Sequence, residues 1–150
     1  MSAIANLRFW TRPRRLMAGL FAMLAIGAVI TVVPAQPALA VSCYGDYCSG
    51  VDPQSSGCSA DGYTVASAGV YGSGGTSIVE LRWSPTCKTN WTRVNWSGWS
   101  DIRAVQSTGY TQHYSGSNGS YWWTAMIYSP TLCVKAVASG AWGTTQTSCV

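Results

Sequence analysis

Of 150 residues only 9% are charged, and the formal net charge is +4. Arg8, Arg12, Arg14 and Arg15 lie in the first forty positions; beyond them Arg82, Lys88, Arg93, Arg103 and Lys135 are balanced by Asp46, Asp52, Asp61, Glu80 and Asp101. This neutral remainder has no basic cluster to neutralise a run of phosphates or steer the chain to anionic membranes, which excludes nucleic acid as a partner.

Residues 1–40 read as a secretory signal peptide. Four arginines precede an uncharged apolar run from Leu16 to Val33, and Pro34 and Pro37 break any helix after it. Ala38-Leu39-Ala40 then supplies a small-x-small cleavage site. The run is long enough to span a membrane on length alone, but the prolines and the Ala-x-Ala site favour cleavage and no stable span afterwards. Residues 41–150 are expected to form one secreted domain.

All six cysteines, 43, 48, 58, 87, 133 and 149, fall in that domain. An even count in a short exported chain reads as disulfides. Zinc is the rival reading, but structural zinc sites favour tight thiolate pairs, often with histidine; the cysteine spacings are wide and His113 is the only histidine. Sequence does not choose among the possible pairings. Proximity along the chain points to Cys43–Cys48, Cys58–Cys87 and Cys133–Cys149.

No long segment has helical periodicity. Glycine, serine and threonine interrupt the chain every few residues, with β-branched and aromatic residues between them. That pattern predicts an all-β fold, a small sandwich or barrel of short antiparallel strands. Residues 43–58 form a cysteine-rich loop with turn signals at Asp52-Pro53 and Ser56-Gly57. Residues 63–71 make a strand. Residues 77–83 alternate, with Val79, Leu81 and Trp83 on one face and Ile78, Glu80 and Arg82 on the other. A loop holding Cys87 leads to a strand over 91–96, and a further strand covers 101–106. Strands over 110–114 and 121–128 flank Asn118-Gly119, a turn signal. A strand over 132–138 precedes a Gly-rich tail.

If strands 77–83 and 91–96 pair, Glu80 can sit opposite or diagonal to Arg93 on one face, with Arg82 nearby. The three charges then fix register, because a one-residue slip would flip every side chain. This is the favoured reading over a catalytic one. Arginine neighbours would engage the Glu80 carboxylate, which does not suit general-acid work.

These residues also carry a resemblance. CYGDYCSGVDPQSSGC, DGYTVASA and VELRWSPTCKTNWTRV are similar to the YjfA-like secreted proteins of Gram-positive bacteria, domain of unknown function 2690. The motif positions fall on Cys43, Cys48, Gly50, Asp52-Pro53, Cys58, Thr64-Val65 and the block from Glu80 to Arg93. The match is close over residues 43–94 and looser beyond. It implies an exported protein of an actinobacterium or bacillus. It implies no catalytic residue and no ligand.

The catalytic inventory is thin. His113 has no nucleophile-elbow motif to serve, and Asp46 and Asp52 are explained by turn chemistry. A calcium site from Asp46, Asp52 and Asp61 lacks the EF-hand spacing. No cofactor or metal is expected, although a small hydrolase stays open. The anomaly is aromatic. Seven tryptophans, 83, 91, 96, 99, 122, 123 and 142, follow the leader, more than a core of this size needs. Trp83 is expected inside. On a strand, adjacent Trp122 and Trp123 must point opposite ways, one in and one out. Exposed indoles in a nearly uncharged protein mark a binding surface, and Trp96, Trp99, Trp122 and Trp123 are the candidate ligand contacts, with rim polar groups from Asn95, Gln112 or Asn118. The expected function is a non-catalytic extracellular binding module for a cell-wall or other carbohydrate. The alternative is a protein–protein element: an inhibitor, a toxin component or an envelope structural protein.

Overall fold

The computed structural model describes residues 40–72, 75–95, 98–116, 121–141 and 143–150. The leader up to residue 39, Trp96, Asn118 and Trp142 lie outside the described residues. No helix among the described residues is long and apolar enough to cross a membrane.

Among the described residues, nine antiparallel strands form two sheets. One sheet runs in the order β1 (Tyr63–Gly72), β2 (Gly75–Ser84), β3 (Thr89–Val94), β6 (Trp122–Trp123), with β7 (Ile127–Tyr128) also paired to β3. The other runs β5 (Thr111–Ser115), β4 (Trp99–Gln106), β8 (Val134–Gly140), β9 (Gly143–Gln146). The sheets do not close into a barrel, so the sandwich alternative holds. Between them lies a core of Val79, Leu81, Val94, Trp99, Ile102, Trp122, Ile127, Val134 and the alanines of β4 and β8. These are the inward positions of alternating strands, as in β4, where Ile102, Ala104 and Gln106 are buried while Asp101, Arg103 and Val105 are not.

A second core sits on the outer face of β3. Trp91 packs there with Cys48, Cys58, Cys87 and Met126. Gly62 lies against the indole so closely that a Cβ would come 2.5 Å from Cη2 of Trp91, so any larger residue would have to displace a buried ring. With Thr92 and Val94 facing the other sheet, β3 is covered on both sides and only Arg93 is not buried.

The cysteines pair as Cys43–Cys48, Cys58–Cys87 and Cys133–Cys149, with Cα separations of 5.1, 5.8 and 5.3 Å. Disulfides of this kind persist in oxidising compartments.

Three expectations need correction. The single strand over 121–128 is broken into β6 and β7. Between the pairs Asn90↔Ile127 and Arg93↔Trp123, β3 advances three residues and its partner four, which is a bulge of one residue. Two bonding patterns hold it. The Thr124 hydroxyl, rather than a carbonyl, accepts the Thr92 N–H at 3.1 Å, and the Met126 backbone turns away to pair with Gly50 and Val51. Second, the strand expected over 91–96 is Thr89–Val94, with Asn95 beyond its end; the turn signal at Asn118-Gly119 lies outside the described residues. Third, the Gly-rich tail supplies strand β9, paired to β8 from Val137↔Gln146 to Gly140↔Gly143.

Candidate functional site

The three charges of the β2–β3 hairpin lie where the alternation places them. Glu80 is directly opposite Arg93, and Arg93 Nε donates to Glu80 Oε2 at 2.6 Å. Arg82 Nη1 donates to Thr64 Oγ1 at 2.7 Å, and its Nη2 donates to the Gly62 carbonyl, tying β2 to the start of β1. Burial lowers the Arg82 pKa, the Arg93 charge adds to this, and Glu80 opposes it. Every charge is used within the sheet. Arg93 also stands over the ring of Tyr121, with Cζ 5.4 Å from the centroid, a cation–π contact.

The four candidate tryptophans do not gather on one surface. Trp99 is 1% exposed and Trp122 is 3% exposed; both are inward residues of the inter-sheet core, which removes them as surface platforms for a ligand. Trp96 lies outside the described residues. Trp123 remains. Its neighbour Trp122 points in, so Trp123 points out, half-buried against the second core. Trp83, expected inside, is half-exposed in a groove of about 350 Å³ that it lines with Tyr63, Leu132 and Val150.

Trp123 borders a cleft of about 340 Å³, lined also by Gly50, Asp52, Tyr114, Tyr121, Trp122 and Ala125. Its indole N–H donates to Asp52 Oδ2 at 2.8 Å. The other oxygen, Oδ1, accepts the N–H groups of Gln54 and Ser55 at 2.8 and 2.9 Å. Partial burial alone would raise the Asp52 pKa, but the bonds from Ser55, Trp123 and Gln54 outweigh it and hold the carboxyl below its ordinary value. A fixed anion thus stands beside an indole, with Tyr121 58% exposed at the rim. Tyr114 meets Trp122 edge-on, with centroids 5.1 Å apart, beneath the rim. Among the expected rim groups, the Gln112 amide lies near Gly50 and donates to the Tyr110 hydroxyl at 2.8 Å. Asn95 is engaged elsewhere, accepting the Ile78 N–H at 3.3 Å. Sequence reasoning missed Asp52, Tyr114 and Tyr121 as site residues. The turn signal at Asp52-Pro53 explained the aspartate fully, and tyrosines next to the tryptophan pair were the available hint.

Elsewhere, His113 Nε2 pairs with Asp101, and Arg103 Nε binds the same carboxylate at 2.8 Å. This is an exposed charge cluster on the β4–β5 ladder, and no hydroxyl among the described residues bonds the imidazole. The acids considered for calcium have separate partners. Asp46 accepts from the Ser49 hydroxyl, while Asp61 accepts from the Ser84 hydroxyl and the Thr86 N–H.

Fold and cleft together define a small disulfide-bonded β-sandwich with an aromatic-lined surface cleft. The family model described as "Protein of unknown function (DUF2690)" matches residues 46–139, and the chain belongs to that family. The match runs from the first disulfide loop into β8 and therefore includes the C-terminal half, where the motif resemblance was loose. No curated protein and no solved structure gives a significant match.

Proposed function

We propose that this protein is an exported, non-catalytic binding module whose ligand is a carbohydrate of the cell wall or a related glycan, held in the cleft of Trp123, Tyr121 and Asp52. The observation that carries this reading is the Trp123–Asp52 pair. An outward indole, oriented by a fixed carboxylate, offers an apolar platform beside a hydrogen-bond acceptor. Sugar rings present the matching combination of apolar C–H faces and hydroxyl donors. The cleft is concave and mostly aromatic, with few polar groups, as small-ligand sites are. The leader-like sequence of residues 1–40 and the three disulfides support export.

The test is retention of the oxidised protein on purified peptidoglycan, chitin and cellulose, read by tryptophan emission. Retention with shifted emission, lost in Trp123→Ala, is the expected result. No retention on any of the three, with emission unchanged, would overturn the carbohydrate reading.

A protein ligand is the second reading, and one observation favours it. Tyr44 and Tyr47 are each 89% exposed on the loop closed by Cys43–Cys48. Rigidly held exposed tyrosines are typical of protein interfaces. Capture of one stoichiometric partner from culture supernatant, lost when both tyrosines become serine, would support it.

A further inference from the structure

The two N-terminal disulfides are packed against each other. The sulfurs of Cys43, Cys48, Cys58 and Cys87 all lie within 4.8 Å of one another, and Cys43 Sγ is 3.7 Å from Cys58 Sγ. A tetrahedral zinc with Zn–S bonds of about 2.3 Å has sulfur–sulfur edges of roughly 3.8 Å. The non-bonded pairs are thus within about 1 Å of a tetrathiolate edge, while the bonded pairs, Cys43–Cys48 and Cys58–Cys87, must open to that distance on reduction. Cys48, Cys58 and Cys87 are buried in the second core beside Trp91 and Met126, and Cys43 is half-buried against it, so three of the four sulfurs are shielded from bulk water. A small cavity of about 40 Å³ touches both disulfides, through Cys43 and Cys87, and is lined also by Lys88 and Tyr128. That volume admits a single ion or water. Lys88 would offset part of the negative charge that four thiolates leave on a divalent ion. Ligand number, spacing, enclosure and an entry path are the features a structural metal site requires.

We propose that this cluster has a second state: with both disulfides reduced, Cys43, Cys48, Cys58 and Cys87 hold one zinc ion as a tetrahedral tetrathiolate. Each disulfide takes two electrons from the reductant and two protons: two thiols supply both and become a disulfide, whereas a phosphine supplies the electrons and one water supplies the two protons and the oxygen of the phosphine oxide. Zinc then displaces the four thiol protons and remains divalent. The zinc form clips the 43–58 loop to the β2–β3 turn as the disulfides do, so the chain has a folded state available before oxidation.

The test uses the full chain, reduced anaerobically with a phosphine and titrated with cobalt(II), then zinc(II). One cobalt per chain is expected, with the thiolate charge-transfer and visible bands of a tetrahedral tetrathiolate. Zinc should displace cobalt and restore the near-ultraviolet circular dichroism of the oxidised protein. Cys58→Ser should weaken cobalt binding at least about tenfold, whereas the double variant Cys133→Ser, Cys149→Ser should keep the bands. Absence of thiolate bands would overturn the proposal. So would bands unchanged in Cys58→Ser, or bands that appear without recovery of the near-ultraviolet signal, which would mean metal held by an unfolded chain.

Discussion

The Trp123 indole N–H donates to Asp52 Oδ2 at 2.8 Å, across 71 residues of sequence. This bond attaches the edge of one sheet to the disulfide-closed loop and sets the angle of the indole at the cleft. Asp52→Ala removes both the anchor and the anion, and should weaken glycan retention at least about tenfold, or roughly 1.4 kcal/mol. Asp52→Asn keeps an acceptor for the indole and should retain more affinity. Comparing the two on peptidoglycan separates orientation from charge.

Acid should loosen the same loop. Asp52 and Asp61 both have folded-state pKa values held below 3.8; in each case hydrogen bonds outweigh burial. A carboxylate with a depressed folded pKa contributes stability that is complete above its unfolded pKa. That contribution fades as pH falls through the folded value. Stability should therefore be flat in this respect above about pH 5 and decline below roughly pH 4. Urea unfolding across that range should show a shallower acid decline in the double variant Asp52→Asn, Asp61→Asn, which is also less stable at neutral pH.

The Glu80–Arg93 pair is a cross-strand pair with side chains 20% and 29% exposed. Its coupling energy in a double-mutant cycle with alanine should be about 0.5–1 kcal/mol, as for partly solvated pairs. Arg93→Lys should recover most of the ion pair but less of the contact with Tyr121, since the planar guanidinium stacks better than an ammonium. If the Tyr121 position matters for the cleft, this variant lowers glycan retention while leaving the unfolding midpoint nearly unchanged.

The three disulfides should differ in their contribution to stability according to the loops they close. Their sequence separations are 29 for Cys58–Cys87, 16 for Cys133–Cys149 and 5 for Cys43–Cys48. Loop-closure entropy ranks them in that order, with roughly 1.5 kcal/mol between first and last. Paired Cys→Ala variants, unfolded in denaturant, test the ranking; equal losses would show that packing of the second core dominates.

Much of this architecture was legible in the sequence. The alternation over 77–83 put Val79 and Leu81 on one face, the one found buried, and Glu80 opposite or diagonal to Arg93, which it is found to face directly. Proximity along the chain gave the disulfide pairs because each closes a local loop. What failed has separate causes. The second core covers the outer face of β3, so Trp91 is buried on the side that two-layer alternation assigns to solvent. A tryptophan excess that looked like a surface feature is partly demand from this extra core. Trp99 and Trp122 were misplaced because residue type does not say which face of a strand is enclosed. The adjacency of Trp122 and Trp123 showed that one of them points out, but not which. The bulge at Thr124 could not be read, because it depends on a hydroxyl replacing a carbonyl in the ladder and on loop residues 50–51 reaching across to Met126.

The double enclosure of β3 has a consequence for how the molecule comes apart. A strand that forms the wall of two cores leaves neither one able to melt alone. Loosening the cysteine-rich layer exposes Trp91 and frees the backbone that carries Thr92 and Val94, whose inward faces hold the sandwich. The small layer and the large one are thus joined into a single cooperative unit. Among the described residues, the amide protons of β3 should be among the last to exchange with solvent, which hydrogen exchange measured residue by residue would check.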